Sequence, residues 1–266
     1  MKLKKKYQSR LNNLFVYETE DGFHIESVFY RGDTLCISTQ VGCPIGCHFC
    51  ASGNKGFFRN LSEEEIKQQY LLLKEKLPIK GIAIAGIGEP SFNVNSVLKA
   101  LIFFKNKKLK VTITTTGYPD KEFQKLLLSK HDGITLSIHG FSKSVRQKLF
   151  KLNFPFEKTL STFENYIKQL SKTKRKKYQL GYLLLDGVND SKEELSKLAE
   201  LAKKYSLTVM LMMYNPVETS PFKPVSPEKY EENFRFLRKH GIRVTLSNRF
   251  RTDPLGGCGT LTIART

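Results

Sequence analysis

The sequence predicts an α/β protein built as a partial, open (β/α)6 barrel with a short N-terminal extension. Three observations lead there. Short aliphatic and β-branched runs alternate with longer amphipathic runs, the pattern of repeated βα units and of a parallel sheet with right-handed crossovers. Six such units follow a cysteine-rich loop, fewer than the eight of a closed barrel. Glycine-rich and polar turns follow the strands, at the end where parallel α/β folds place their active sites.

Residues 1–33 read as the extension, with one strand near Phe23–Tyr30; residues 34–266 read as one main domain. The predicted strands are Thr34–Thr39, Gly81–Ala85, Lys110–Thr115, Gly133–Ser137, Tyr178–Leu185, Thr208–Met212 and Arg243–Leu246. The predicted helices are Ser62–Lys76, Val94–Asn106, Lys121–Leu128, Phe156–Gln169, Ser191–Tyr205 and Ser226–His240. Ser62 and Glu65 have the spacing of a capping box, and Ser191 with Glu194 repeats it.

Composition narrows the class. Of 266 residues, 26% are charged and 40% hydrophobic, which excludes a disordered tail, a collagen repeat and a coiled coil. No apolar run approaches the roughly 18 residues of a membrane span. The leader Met1–Lys6 is basic, but Leu14–Tyr17 is too short for a signal-peptide core, so a soluble cytoplasmic protein is expected. Lys and Arg number 44 against 25 Asp and Glu, a net charge of +19 that favours a polyanionic partner, nucleic acid first. Two lysine runs, Lys105–Lys110 and Lys172–Lys177, precede strands and so belong to the face opposite the site. On the active face the candidate RNA contacts are Arg31, Lys55, Arg59, Lys143, Arg146, Arg249 and Arg251.

Five cysteines carry the chemistry: Cys36, Cys43, Cys47, Cys50 and Cys258. An odd number with four inside fifteen residues is not a secreted disulfide framework. Cys43-x3-Cys47-x2-Cys50 can hold three irons of a [4Fe–4S] cube and leave the fourth open. The alternative is a zinc site of Cys36, Cys43, Cys47 and Cys50, or one recruiting His48, although no second knuckle pair is present. Gly86-Ile87-Gly88-Glu89-Pro90 follows the second strand, Thr115-Thr116-Gly117 the third, Ser137-Ile138-His139 ends the fourth, and Tyr214-Asn215-Pro216 follows the sixth. Cys258 lies in a glycine-rich loop after the seventh.

These stretches resemble a known family. Cys43-x3-Cys47-x2-Cys50, with Phe49 before the last cysteine, resembles the radical-SAM signature. Gly86–Pro90 is similar to that superfamily's motif for the amino group of S-adenosylmethionine (SAM). Thr34–Gly42, Lys55–Leu61, Leu185–Asp190 and Gly257–Gly259 narrow the resemblance to the RlmN/Cfr family of radical-SAM RNA adenine methyltransferases, over about Glu26 to Leu261. A radical-SAM barrel, a [4Fe–4S] cluster on Cys43, Cys47 and Cys50, and SAM are implied. SAM contacts carried over are Gly88, Glu89, Thr114, Ser137, Ile138, His139 and Asn215.

The resemblance also implies a route. Cys258 accepts a methyl group from SAM; a second SAM, cleaved with an electron from the cluster, activates it; the base becomes joined to Cys258. Glu26 assists proton transfer, and Cys36 attacks the Cys258 sulfur to release methylated RNA and leave a disulfide. An adenosine of 23S rRNA or tRNA is the implied substrate, with C2 favoured over C8, and a reductant such as flavodoxin or ferredoxin is required. A monomer is expected. Longer family members carry a helical accessory domain where this chain has a short basic leader, so RNA grip is expected from the arginines, another protein or a smaller substrate. Two other functions compete: a radical-SAM enzyme for a peptide or small molecule, and a zinc-stabilised RNA-binding module without catalysis.

Overall fold

The computed structural model describes residues 1–265. The chain begins with an antiparallel meander, β1 (Lys2–Gln8), β2 (Asn13–Glu18) and β3 (Phe23–Tyr30), then β4 (Thr34–Ile37). β5 (Gln40–Gly42) pairs with β6 (Phe57–Asn60), and between them lie the cysteine loop and the short α1 (Ala51–Asn54). The alternating part follows: α2 (Glu63–Leu71), β7 (Gly81–Ile84), α3 (Val94–Asn106), β8 (Lys110–Thr115), α4 (Asp120–Leu127) and β9 (Gly133–Ser137). Next come α5 (Lys143–Leu149), α6 (Phe156–Ile167), α7 (Lys172–Arg175), β10 (Tyr178–Leu184), α8 (Lys192–Tyr205), β11 (Thr208–Met213), α9 (Pro227–Lys239), β12 (Arg243–Leu246) and β13 (Ala264–Arg265).

The seven strands expected from residue 34 onward are parallel neighbours in chain order, β4-β7-β8-β9-β10-β11-β12. Among the described residues β12 has no partner on its far side and β1 ends the other edge, so the barrel is open as predicted. The extension differs from the expectation. It contains three strands, not one, and β3 pairs antiparallel with β4, so the extension continues the main sheet. The Lys-rich β1 is exposed along most of its length, which hid its period from a hydrophobicity reading. Between β9 and β10 there are also three helices where one was expected.

Register explains the sheet's two faces. Residues facing out from the barrel are Leu35, Ile37, Ile82, Ile84, Val111, Ile113, Ile134, Leu136, Leu180, Tyr182, Leu184, Val209 and Leu211, none more than 1% exposed. The helices cover them with stripes at helical spacing, such as Val97, Leu101 and Phe104 of α3 and Leu195, Leu198, Ala202 and Tyr205 of α8. Each such side chain contributes about 1.5–3 kcal/mol on burial. The alternate residues share the inner face: Cys36 pairs with Ala83, Ala83 with Thr112, Thr112 with Gly133, Thr135 with Gln179 and Ser137 with Gly181. These are small or polar, so the lumen is not filled by side chains and a cavity of about 880 Å³ remains.

Helix starts follow the sequence with one correction. Ser62 and Glu65 form the reciprocal capping box at α2. Ser191 caps α8 by accepting from Glu194 N, but the Glu194 carboxylate does not reach back. It accepts instead from the backbone amides of Phe141, at 2.5 Å, and Ser142, at 2.9 Å. A tertiary partner has displaced the local one, and α8 is thereby tied to the loop after β9.

Candidate active site

The cysteine loop is a turn folded over the C-terminal ends of the strands. Cys50 N donates to Cys47 O, and Asn54 N to Cys50 O, so α1 closes the loop. Gly53 permits this: a Cβ there would lie 2.6 Å from Cys47 O. Burial pushes the Cys43 thiol well up, opposed by backbone amides of Ile45 and Gly46 that favour its ionised form. Burial likewise raises Cys47, with Cys43 and Cys50 adding to it. Buried thiols packed together ionise when a cation neutralises them. The donor set of three cysteines, with amides aimed at one sulfur, fits a cluster held at three irons. Among the described residues no three His, Cys, Asp or Glu side chains are drawn together as a metal-ion site, the three loop cysteines included.

The other two cysteines meet across the cavity. Cys36 on β4 faces the lumen, opposite Val28 in the β3–β4 register. Cys258 is exposed in the loop after β12, and it lines the same cavity as Cys36 and Cys50. Burial pushes the Cys36 thiol up to about 12; Cys258 adds to the shift and Arg251 opposes it. Arg251 Nη1 donates to Cys258 Sγ at 3.4 Å. Tyr30 is raised by burial and then by Cys36, so its hydroxyl belongs to the same group.

The Cys258 loop is fixed by four other parts of the fold. Asn215 Nδ2 donates to Arg251 O at 2.7 Å and Cys258 O at 2.9 Å. Asn12, in the β1–β2 turn, donates through Nδ2 to Phe250 O at 2.9 Å and Leu255 O at 3.0 Å. Ser9 Oγ donates to Asp253 Oδ2 at 3.0 Å. Ala51 N donates to Gly259 O at 2.9 Å, and Ser52 Oγ to Leu261 O at 2.6 Å, which join this loop to the cysteine loop. Gly256 has φ +73°, and a Cβ there would lie 2.5 Å from Val28, so only glycine lets the loop lie on β3. Glu26 accepts from Thr262 N at 2.9 Å, and burial raises its carboxyl above the usual range.

The remaining expected contacts sit as follows. Of the expected SAM contacts Thr114 lines the cavity, beside Gly86, whereas Gly88, Glu89, Ser137, Ile138, His139 and Asn215 are not among its lining residues. Glu89 is buried and accepts from Thr116 N at 2.7 Å, Thr116 Oγ1 at 2.9 Å, Ser91 N at 3.0 Å and the Thr115 hydroxyl. Gln40 Oε1 accepts from Glu89 N at 2.7 Å, beside Gly88. His139 has φ +58°, and its Nδ1 accepts from Leu183 N at 3.0 Å. Burial lowers its pKa to about 3, so its ring is neutral. Ser137 and Ile138 are buried just before it. Asn189 donates to His139 O at 2.7 Å and Leu183 O at 2.6 Å, clasping the ends of β9 and β10 together.

The candidate RNA contacts divide. Arg31, Lys55, Lys143 and Arg249 are exposed, and Arg249 lies over the Phe250 ring. Arg59 is paired with both Asp21, at 2.6 Å, and Glu65, at 2.8 Å. Arg251 is directed at Cys258, and Arg146 is buried among three phenylalanine rings. The lysine runs do lie at the N-terminal ends of the strands. Even so, Lys107, Lys108, Lys110 and Lys177, with Lys80, line the far end of the same cavity. Sequence reasoning missed Tyr30, Asn12 and the thiol-directed role of Arg251. A period of two from Glu26 through Val28 was the available signal for Tyr30; Asn12 had none.

Comparison with known proteins adds three findings. The family model described as the Radical SAM superfamily matches residues 37–202. The chain is 34% identical over 278 residues to "Probable dual-specificity RNA methyltransferase RlmN" of Thermotoga neapolitana, covering 100% of this chain and 80% of that protein. It is 34% identical over 270 residues to the protein of the same description from Caldicellulosiruptor saccharolyticus, covering 96% and 77%. Among solved structures, a radical SAM methyltransferase from Sphaerobacter thermophilus superimposes with TM-score 0.86 at 28% identity, over 97% of this chain and 80% of that one. SuiB of Streptococcus suis, solved bound to S-adenosylmethionine, shares the fold at TM-score 0.63 and 16% identity, over 85% and 53%.

Proposed function

We propose, from the premise that this chain belongs to the radical SAM superfamily and to its RlmN family of RNA methyltransferases, that it methylates an adenine in 23S rRNA or tRNA, at C2 in preference to C8. The observation that carries this reading is the cavity shared by Cys36, Cys258 and the cluster-loop cysteine Cys50. A second radical-SAM substrate class, peptide or small molecule, does not need two further cysteines brought together from opposite ends of the chain.

Cys43, Cys47 and Cys50 would hold a [4Fe–4S] cluster. Bound there, the cluster supplies the single electron that cleaves SAM. The remaining chemistry belongs to the chain. Cys258, exposed to the cavity and touched by Arg251, attacks the sulfonium methyl of SAM; a sulfur–carbon bond forms and the methyl–sulfonium bond breaks. The S-methyl group on Cys258 would lose one hydrogen atom to the 5′-deoxyadenosyl radical that SAM cleavage supplies, its carbon would bond to the base, and one electron would leave with the ring proton. Glu26 takes the ring proton, for which a carboxyl raised by burial is suited. Cys36 then attacks the Cys258 sulfur. The sulfur–carbon bond breaks, its electron pair stays on carbon, and that carbon takes a proton to become the new methyl group. A Cys36–Cys258 disulfide remains, and a two-electron reductant in the cytoplasm reopens it. Burial of the Cys36 thiol keeps it protonated and unreactive until this stage. The base must leave its stack to reach the cavity, so an unpaired or loop nucleotide is the target.

The test is a trap. Cys36→Ala, produced under low oxygen, is expected to carry RNA covalently on Cys258, detected by nuclease digestion and peptide mass spectrometry. Sequencing that RNA identifies the substrate. A cluster-loaded Cys36→Ala protein with unmodified Cys258 and no RNA would overturn the reading.

A further inference from the structure

The electron for the cluster must come from another molecule, and a basic groove on the surface lies against the cysteine loop. The groove has a volume of about 650 Å³ and is formed by α5 and the loop leading to α6. Its residues are in backbone contact with the cysteine loop. Cys47 forms an antiparallel bridge with Phe150. His48 N donates to Leu149 O at 2.9 Å, Lys151 N to Gly46 O at 3.0 Å and Leu152 N to Ile45 O at 3.1 Å. Lys151 packs so closely that a Cβ added to Gly46 would lie 2.7 Å from Lys151 Cβ. Only the thickness of one chain separates this groove from Cys47.

The groove is positively charged and largely unpaired. Lys143 and Lys151 line the groove and are exposed, as is Lys148 beside it on α5, and among the described residues no carboxylate forms an ion pair with any of the three. Nearby Lys158, in contrast, pairs with Asp120 at 3.2 Å. Glu157 is the one acidic residue lining the groove among the described residues. Beneath the surface, the Arg146 guanidinium sits 3.8 Å from the Phe156 ring centroid and 4.7 Å from those of Phe150 and Phe154, while donating to Ile138 O and Gly140 O. Burial lowers Arg146 to about 10, which leaves it charged at neutral pH. A floor of phenylalanine rings beneath exposed, unpaired ammonium groups fits an acidic protein surface.

Position decides between this groove and the other basic regions. The lysines at the far end of the cavity stand at the start of β8, and the cysteine loop lies beyond its end. Five rises of about 3.3 Å put roughly 16 Å between them, and electron tunnelling weakens steeply with distance. The Cys258 loop contacts a different stretch of the cysteine loop, at Ala51 and Ser52, so RNA at Cys258 leaves the Ile45–His48 stretch free.

We infer that the groove of α5 and residues 150–156 is the docking site of an acidic one-electron carrier protein, which reduces the cluster through the Cys47–Phe150 contact. One electron leaves the reduced carrier and enters the oxidised cluster, with no proton or group transferred. The inference rests on the cluster part of the proposed function and on no later step.

The test uses cluster-loaded protein and reduced acidic flavodoxin as probe. Bleaching of the cluster's visible absorption is followed after rapid mixing with flavodoxin or, separately, dithionite. The quantity read is the ratio of the two rates, for the parent, Lys151→Gln, and Lys148→Glu with Lys151→Glu. The expected result is a roughly tenfold fall of the ratio in the double variant at low salt, a smaller fall in Lys151→Gln, and convergence at high salt. Flavodoxin affinity falls in parallel and RNA affinity does not. An unchanged ratio overturns the inference, and an unchanged ratio with weakened RNA binding would assign the groove to RNA. Protein that passes this test yet never forms the Cys258 adduct would overturn the proposed function and leave the docking site standing.

Discussion

The cluster cysteines and the Cys36–Cys258 pair are brought together in different ways. Cys43, Cys47 and Cys50 lie within one turn, closed by α1 and by nearby amides and packed on residues 149–152. Cys36 comes from the inner face of β4, and Cys258 from a loop after the last parallel strand. Short-range bonds such as Cys258 N to Arg251 O and Leu255 N to Asp253 Oδ1 shape that loop, but distant residues anchor it to the sheet. Its partners are Ser9 and Asn12 from the first turn of the protein, Glu26 from β3, Ala51 and Ser52 from α1, and Asn215 after β11. A metal-binding turn can be specified by spacing, because its ligands need only local backbone freedom. A pair of reacting sulfurs with no cofactor between them must be positioned by the whole sheet, and here the N-terminal meander supplies part of that positioning.

The comparison is tested most severely at the local turn. Cys47→Ala is expected to lose iron and the brown absorption and to lower methylation on the order of 10³-fold or more, while the far-UV circular dichroism of the sheet persists. Loss of the folded signal together with the iron would mean the turn is as dependent on the rest of the fold as the Cys258 loop.

The next effect concerns reactivity of the pair. With cluster-free protein, iodoacetamide should label exposed Cys258 well before Cys36, whose thiol is buried and raised to about 12. Arg251→Gln should slow labelling of Cys258 several-fold and leave Cys36 unchanged, as read by peptide mass spectrometry. Equal rates in both proteins would reduce Arg251 to a packing residue.

A smaller effect is expected from far away. Asn12→Ala removes both side-chain donors to Phe250 O and Leu255 O and should cost about 1–3 kcal/mol, concentrated in residues 249–263. Hydrogen exchange is the measurement. Faster exchange in that loop with the cysteine turn unaffected sharpens the contrast; uniform loss across the sheet removes it.

The smallest effect is on pH dependence. His139 is held near 3 by burial, below its unfolded value of about 6.5. Between those values the unfolded chain takes up a proton that the folded one refuses, so stability contributed by the neutral ring is present above pH 6.5 and lost as pH falls toward 3. His139→Asn, which tolerates the positive φ, should shift acid unfolding to lower pH. An unshifted acid limb would place the titration elsewhere.

How much was legible follows from distance along the chain. The strand–helix alternation from residue 34 and the capping box at Ser62 depend on neighbours within a few positions, and the structure contains them. Ser191–Glu194 had the same local signature, yet the Glu194 carboxylate turned to the Phe141 and Ser142 amides. β1 is an exposed, Lys-rich edge strand with little apolar periodicity, whereas β2 does carry an apolar signal, Leu14–Tyr17, too short to be told from other short apolar runs. Arg59 and Arg251 looked like free cations; one is clamped by Asp21 and Glu65, the other is directed at a sulfur.

The sequence by itself determined the parallel sheet, the cluster turn and the identity of the five cysteines, because periodicity and spacing act over one element at a time. Tertiary structure decided the rest: that small residues on one face of the strands leave a cavity, that Cys36 and Cys258 share it, and that the N-terminal turn holds the C-terminal loop. The physical reason is that a hydrogen bond such as Asn12 to Leu255 has no sequence-local signal. It exists only once the sheet has brought the two ends of the chain together.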